Sequence, residues 1–321
     1  MLNRIAYNPC CFLFILCLMM LGTATGADSN LAEAVKEDLR AHNDFTAKNE
    51  NEATKKRLET EGINKFADWK KAAELGIPEG QVMLAVCYHY GVNVPEDKVE
   101  AHKWIRKAAE QGNADGQYRL AANYFEGTGI PEDKDEAVKW LRKAAEQGHA
   151  KAQRALAGCY FDGTGVPEDK DEAVKWLRKA AEQGHAEAQH NLAYCYFEGV
   201  GVPEDKEEAV KWLRKAAEQG HAEAQYDLAR CYFRGVGVHE DKEEAVKWWR
   251  TAAEQGYAKA QYGLAYCYSE GTGVPEDKAE AVKWLRKATA QGQTEEEQAK
   301  AESTGSSLFD QLSSPSLTSP K

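Results

Sequence analysis

Five cysteines recur at one position of a repeated pattern, and a thiol can form a disulfide, bind a metal or act as a nucleophile. They lie 36 residues apart or at twice that spacing: Cys87, Cys159, Cys195, Cys231 and Cys267. Asn123 takes the missing place. Stacked repeats place equivalent residues on the order of 10 Å apart, beyond the ~4.4 to 6.8 Å Cα separation of a disulfide. We therefore expect small buried core residues, with a redox or metal role as the alternative.

Three histidines follow the same spacing in a G-H-A sequence between repeats: His149, His185 and His221. Ligands of one metal ion must converge within about 2 Å of it, which residues one repeat apart cannot do. We expect turn residues here, no metal site and no bound cofactor. His185 and His190 are five residues apart and do not form the H-E-x-x-H motif of zinc proteases.

The sequence also lacks the motifs of several common catalytic and nucleotide-binding sites. It contains no S-x-x-K, K-T-G or G-x-S-x-G string and no Walker loop. Its G-T-G turns lack the third glycine of a dinucleotide site. We therefore predict that the protein is not an enzyme.

Six tryptophans mark the repeat that positions these side chains, each 36 residues from the last: Trp104, Trp140, Trp176, Trp212, Trp248 and Trp284. One repeat predicts two short helices. The first, at 187–198, places Ala188, Leu192, Cys195 and Tyr196 on one face. A glycine-containing turn follows, in which Asn93 replaces the second glycine of the first repeat, and asparagine tolerates the left-handed conformation expected there.

The second helix of a repeat, at 205–219, begins with a predicted capping box. Asp205 is the expected N-cap and Glu208 the reciprocal partner. The expected end is the C′ glycine Gly220. The apolar face consists of Ala209, Trp212, Leu213, Ala216 and Ala217. Such short helices are unstable alone, so stacking of neighbouring repeats must stabilise them.

The N-terminus resembles a secretory signal peptide. Arg4 is the only charged residue of the first 26, residues 10–21 are apolar, and the small residues Gly26 and Ala27 mark the expected cleavage region. A membrane anchor is the alternative, although twelve apolar residues fall short of the ~20 that span a bilayer. We expect a secreted protein, or one in the periplasm or cell envelope, without stable membrane insertion after cleavage. Exposed free thiols conflict with an oxidising compartment, so the cysteines are expected to be buried.

The domain prediction follows from these patterns. It has a signal peptide at 1–26, a charged helical segment at 27–63, a repeat solenoid at 64–292 and a polar, disordered tail at 293–321. The solenoid contains a lone cap helix at 64–76 and then six repeats from about 79. In the cap helix Asp68 stands where later repeats have tryptophan, and Trp69 follows it. The net charge of −11 comes from interleaved acids and bases and argues against nucleic-acid binding.

The combined pattern A-x-x-x-L-A-x-C-Y-x-x-G-x-G-V-P-E-D-x-x-x-A-x-x-W-x-x-K-A-A-x-x-G resembles the Sel-one-like repeat, a relative of the tetratricopeptide repeat. The resemblance covers about two thirds of the chain. It implies an all-α fold, a right-handed α-solenoid of antiparallel helix pairs, and a scaffold or adaptor for protein partners. Exported, cysteine-rich relatives have been linked to penicillin binding or β-lactamase activity. A hydrolase directed at cell-wall or β-lactam substrates is therefore the alternative function.

Three positions of the first helix vary among the repeats and lie on one face, away from the core. We call these positions the first-helix stripe. Its members, in repeat order, are Val82, Met83 and Val86; Tyr118, Arg119 and Ala122; Arg154, Ala155 and Gly158; His190, Asn191 and Tyr194; Tyr226, Asp227 and Arg230; Tyr262, Gly263 and Tyr266.

In a tetratricopeptide-like arrangement the stripe would line the concave surface, and Tyr and Arg are enriched at binding hot spots. Drift of exposed positions after duplication is the competing interpretation. We predict partner-binding residues at Tyr118, Arg119, Arg154, His190, Asn191, Tyr194, Tyr226, Asp227, Arg230, Tyr262 and Tyr266. Alanine at Tyr194, Tyr226, Arg230 and Tyr266 is expected to abolish binding with little effect on stability. The function predicted is a monomeric, non-catalytic scaffold for a protein or peptide, and a structural spacer is a third possibility.

Overall fold

The computed structural model describes residues 26–46 and 51–289, and all regular secondary structure in these ranges is α-helical. The expected signal peptide and the expected tail at 293–321 lie outside the described residues, except that the first helix begins at Gly26. The chain forms two compact units, residues 1–144 and 145–321. No helix in the described ranges is both long enough and apolar enough to cross a bilayer.

Two helices precede the repeats, and six helix pairs follow. The first two are α1 (Gly26–Thr46) and α2 (Asn51–Glu74). The first helices of the repeats are α3 (Pro78–Tyr90), α5 (Ala114–Glu126), α7 (Ala150–Asp162), α9 (Ala186–Glu198), α11 (Ala222–Arg234) and α13 (Ala258–Glu270). The second helices are α4 (Lys98–Glu110), α6 (Lys134–Glu146), α8 (Lys170–Glu182), α10 (Lys206–Glu218), α12 (Lys242–Glu254) and α14 (Lys278–Thr289).

The all-α fold of consecutive helix pairs is confirmed. The expected boundary before residue 64 is not a break, because α2 continues through it from Asn51 to Glu74. Glu, Lys, Ala and Arg dominate this segment, and their helix propensity outweighs the single Gly62. The early part of α2 also packs against α1, where Arg57 Nη1 donates to the Ala41 carbonyl at 3.0 Å.

The helix ends of the repeats follow the expected capping chemistry with one difference. Asp205 accepts a hydrogen bond from the Glu208 amide at 2.9 Å, so the N-cap is confirmed. The reciprocal bond of a capping box is not formed. The amide of Asp205 donates to the Tyr196 carbonyl at 2.9 Å. Because that amide is already bonded, the Glu208 carboxylate instead accepts from Lys211 at 3.0 Å.

Positive backbone φ angles occur where the sequence predicts them. Gly220 follows α10 with φ 88°, and Gly199 and Gly201 have φ 64° and 65°. Asn93 has φ 59° and is the only described non-glycine residue with positive φ. An added Cβ at Gly201 would lie 2.3 Å from the Lys170 carbonyl oxygen, so a side chain there would displace backbone.

The core is built from small and large side chains of the two helices of each pair. Ala188, Leu192 and Cys195 of α9 are buried, and so are all five predicted core residues of α10. The alanines let neighbouring helices approach closely. Trp212 is buried and has Lys215 above its ring, with the ammonium 3.8 Å from the ring centroid.

A repeated pair of glutamines connects the polar ends of the helices. In the second unit, Gln183 Nε2 donates to Gln153 Oε1 at 2.7 Å. Gln189 Nε2 of the next repeat donates to the Ala181 carbonyl at 3.0 Å. The buried Gln189 bond satisfies a carbonyl at the C-terminal end of α8 that the helix leaves unpaired, and the Gln183 bond joins two helices through their side chains. The same residues therefore fix the spacing of successive repeats.

Candidate partner-binding surface

In the first repeat the stripe residues are buried, and the helix that carries them packs against the helices before the repeats. Val82, Met83 and Val86 are each 3% exposed or less. Helix α1 packs against α3, which carries these residues, and against α2. Val35 and Leu39 of α1 are buried apolar residues. The stripe of the first repeat is thus apolar and buried, and it lies on a helix that packs against α1.

The second repeat extends this contact through polar groups. Arg119 Nε donates to Asp115 at 2.7 Å, and Arg119 Nη2 donates to Asn43 Oδ1 of α1 at 2.7 Å. Asn43 Nδ2 donates in turn to Asp115 at 3.1 Å. Tyr118 is half-buried. The predicted binding residue Arg119 therefore holds α1 in this structure.

In the second unit, the stripe residues of the third and fourth repeats are half-buried or exposed. Arg154 forms an ion pair with Glu187 of the next repeat at 3.0 Å. Asn191 is half-buried. Tyr194 is 38% exposed and is one of the few large hydrophobic residues of the described chain with that much exposure. Its ring is available to a partner.

Two predicted binding residues of the fifth repeat are buried instead of exposed. Tyr226 and Asp227 are each 8% exposed. Tyr226 packs beside Trp249, with ring centroids 6.5 Å apart, and beside Tyr257 at 5.5 Å. Other repeats have smaller residues where these two rings stand, so a position that is half-buried in the second, third, fourth and sixth repeats is buried here. Tyr226 therefore belongs to the core and is not exposed as expected, and we now expect its replacement by alanine to lower the free energy of unfolding.

Asp227 is the centre of a polar cluster between the fourth and fifth repeats. His190 Nε2 lies 2.9 Å from Asp227 Oδ2, and Arg230 Nη1 lies 3.6 Å from Asp227 Oδ1. The His190 ring stacks on His221 with centroids 5.2 Å apart. Burial lowers the pKa of His190, but the hydrogen bond and charge of Asp227 outweigh it, so the pKa is raised overall. This cluster explains why the variable positions of these two repeats are polar.

The sixth repeat completes the stripe with two half-buried tyrosines, Tyr262 and Tyr266. Phe233 contacts the Tyr266 ring edge-on, with centroids 6.3 Å apart. Gly263, between the two tyrosines, faces Trp249, and an added Cβ would lie 3.1 Å from the indole. Variation at this position therefore follows packing rather than binding.

All five cysteines of the repeated column are free and buried, as expected for core residues. Burial raises the pKa of Cys159 to about 11 and that of Cys87, Cys195, Cys231 and Cys267 to about 12. A thiol with such a pKa stays protonated at neutral pH and is a poor nucleophile.

The recurring histidines are N-caps, a role that the sequence analysis missed. Nδ1 of His149, His185 and His221 accepts the amide of the third following residue at 3.1 to 3.2 Å. In the first of these turns, Asn113 caps α5 in the same way. The sequence did contain a signal for this role, because Asn113, a common N-cap residue, stands where the next repeats have histidine. Within the described ranges, no group of three or more His, Cys, Asp or Glu side chains could hold a metal ion.

A second unpredicted feature is a compensating pair in the first unit. His102 replaces the valine, and Asn123 the cysteine, that later repeats carry. The two meet, with Asn123 Nδ2 3.4 Å from His102 Nδ1, while Arg106 Nε donates to His102 Nε2 at 3.4 Å. Burial, followed by the charge of Arg106, lowers the pKa of His102 to about 4.

The geometry of these repeats agrees with comparisons to known proteins. The Sel1 repeat family matches residues 78–113, 114–149, 150–185, 186–221, 222–257 and 258–293. The chain belongs to the Sel1 repeat family. Proteins of this family generally act as non-catalytic scaffolds that bind other proteins. The Sel-one-like resemblance seen in the sequence, with six repeats, is confirmed.

Two solved structures have similar Sel1 folds. A protective antigen of uropathogenic Escherichia coli strains is 38% identical, with a TM-score of 0.68, over 71% of this chain and 49% of that one. This chain therefore spans about half the length of that protein. A Sel1 repeat protein from Oxalobacter formigenes is 33% identical, with a TM-score of 0.62, over 76% of this chain and 97% of that one. No curated protein gives a significant match.

Proposed function

We propose that this protein is an exported, non-catalytic scaffold that binds a protein or peptide segment along the first-helix stripe. The observation that carries the proposal is the position of α1. Helix α1 packs against α3, whose stripe residues Val82, Met83 and Val86 are buried, and Asn43 of α1 accepts a hydrogen bond from Arg119 of the next repeat. A surface that accepts a helix within the molecule has the shape and composition to accept one from another molecule.

In the second unit the stripe has the composition of a binding surface. Tyr194 is exposed, and Tyr262, Tyr266, Arg154 and Arg230 are partly accessible. Aromatic and arginine side chains provide large contact areas at a low cost in conformational entropy. The exposed face of the second helices differs, because it carries mainly Lys and Glu pairs. Such pairs contribute little to specific association.

The proposal of a non-catalytic role is supported by the state of the nucleophilic and basic groups. The thiols of the cysteine column are buried and protonated. Nδ1 of each recurring histidine is occupied by a backbone amide. Both features argue against a direct role of these residues in acyl transfer. Export rests on the apolar segment at 10–21 in the sequence.

The test replaces Tyr194, Arg230 and Tyr266 with alanine and leaves the buried Tyr226 unchanged. Pull-down with the native protein, read by quantitative mass spectrometry, defines the bound proteins. We expect the triple variant to recover at least about tenfold less of each specific partner than the native protein. A tenfold change corresponds to about 1.4 kcal/mol of binding free energy. A variant with alanine at Lys175, Lys211 and Lys247 of the second helices is the matched control and should retain them. Equal recovery by both variants contradicts the proposal.

A further inference from the structure

Helix α11 of the fifth repeat has a charge pattern that none of its sister helices shares. It ends in Arg234, whereas the same position holds an acid in four other repeats: Glu126, Asp162, Glu198 and Glu270. One turn earlier stands Arg230, between the tyrosines Tyr194 and Tyr266 of the neighbouring repeats. Residues four apart lie on the same face of a helix. The fifth repeat therefore presents two guanidinium groups on the face that carries the stripe.

The two arginines are only partly neutralised within the described chain. Arg230 has a long ion pair to Asp227, 3.6 Å between Nη1 and Oδ1, and Asp227 is shared with His190 at 2.9 Å. The buried Nε of Arg230 has no hydrogen-bond partner among the described residues. Burial and then the like charge of Arg230 lower the pKa of Arg234. Asp227 is thus shared between Arg230 and His190, and no ion pair of Arg234 is seen among the described residues.

From this arrangement we infer that Arg230 and Arg234 form a subsite for a single carboxylate group of the protein partner, flanked by the rings of Tyr194 and Tyr266. A guanidinium offers paired donors that match the geometry of a carboxylate. The neighbouring acids Glu198 and Glu270 occupy the equivalent positions one repeat away on each side. An extended polyanion would meet these acids, whereas one carboxylate opposite the fifth repeat would not. The subsite therefore sets the register of the partner, and it rests on the proposed function.

The carboxylate could belong to an acidic side chain or to the end of a chain, and three short synthetic peptides distinguish these. All contain two tryptophans. One has a central glutamate and an amidated end, the second a central glutamine and an amidated end, and the third a central glutamine with a free terminal carboxylate. Each is titrated into the isotope-labelled full chain, and NMR shifts of the α11 amides give the dissociation constant.

We expect the glutamate peptide or the free-carboxylate peptide to bind about tenfold more tightly than the amidated glutamine peptide, as one charge-assisted hydrogen bond provides. The peptide that gains affinity identifies the source of the carboxylate. Arg234→Glu should abolish this preference. That variant carries the residue of the sister repeats, so its fold is retained. Lys247→Glu on α12, with the same charge change in the same repeat, is the control and should keep the preference.

Equal binding of all three peptides by the native protein, or no shift at α11 with any of them, overturns the subsite. So does a preference that survives in the Arg234→Glu variant. These results leave the scaffold proposal standing if the alanine variants of the stripe still lose their partners in pull-down. The scaffold proposal fails only if those variants capture partners as well as the native protein does. The pull-down that shows this is separate from the peptide titration.

Discussion

At the scale of single residues, the polar exceptions within the repeats occur in matched sets. His102 and Asn123 replace a valine and a cysteine together, and their side chains meet in the first unit. A buried polar group without its partner costs roughly 1 to 3 kcal/mol, so neither substitution is tolerated well without the other. At this core site the two substitutions are therefore expected to depend on each other.

The pairing predicts a strong coupling between these two positions. His102→Val and Asn123→Cys should each lower the free energy of unfolding by about 1 to 2 kcal/mol, because each leaves a polar partner behind. The double variant restores the pair found in later repeats and should recover most of the loss. Urea unfolding of the four proteins gives the coupling energy. Additive losses would show that the two side chains act independently.

The histidine caps predict a dependence of stability on pH. Burial, followed by the charge of Arg154, lowers the pKa of His185 in the folded protein. Its stabilising contribution is complete above the unfolded pKa of about 6.5 and decreases as the pH falls below that value, because the unfolded chain then binds more protons. Protonation also removes the Nδ1 acceptor that caps α9.

His185→Asn isolates this effect, since Asn113 already caps α5 in the same turn. The variant should match the native protein within about 1 kcal/mol near pH 7.5 and become the more stable of the two near pH 5. Unfolding curves at both pH values provide the comparison. His190, whose pKa is raised, contributes in the opposite sense but is present in both proteins. A difference that does not change with pH contradicts the role of His185 as a titrating cap.

At the scale of elements, the fifth repeat is remodelled around one large side chain. Trp249 replaces leucine on α12, is 1% exposed and packs against Phe233 with ring centroids 5.2 Å apart. Gly263 on α13 leaves the space that the indole fills. Tyr226 completes the wall and is buried for that reason. Trp249 therefore accounts for the burial of the neighbouring stripe residues Tyr226 and Gly263.

This packing predicts that the effect of Gly263→Ala on stability depends on the residue at position 249. Gly263→Ala should destabilise the native protein, because the new Cβ would lie 3.1 Å from an indole that is held on both sides. In the Trp249→Leu background the same change should stabilise by about 1 kcal/mol, since alanine is the better helix former and space is free. Thermal unfolding of the four proteins measures both signs. An equal effect in both backgrounds would disprove the proposed fit.

Much of this element structure was predictable from sequence periodicity. The 36-residue spacing fixes the two helices of a pair, and Asp205, Gly220 and Asn93 have the predicted conformations. The burial of Tyr226 was not predictable by comparing columns, because it depends on Trp249 and Tyr257, which lie on other helices. The histidine caps were missed because histidine is not a usual cap residue.

At the scale of the whole molecule, the stripe serves two purposes. In the first unit it holds α1, and in the second unit it presents tyrosine and arginine side chains. The sequence could not predict the first purpose, because the charged segment before the repeats has only weak periodicity. The contact of Asn43 with Arg119 and Asp115 joins residues more than 70 positions apart. Long-range contacts of this kind have no local signal in a single sequence.

The central claim is that partners bind on the first helices and not on the second. Hydrogen exchange of the full chain, followed by mass spectrometry with and without a captured partner, tests it most directly. We predict slower amide exchange in peptides of α9, α11 and α13 on binding. Peptides of α8, α10 and α12 should show no change. Protection confined to α8, α10 and α12, or none in either set, would contradict the account.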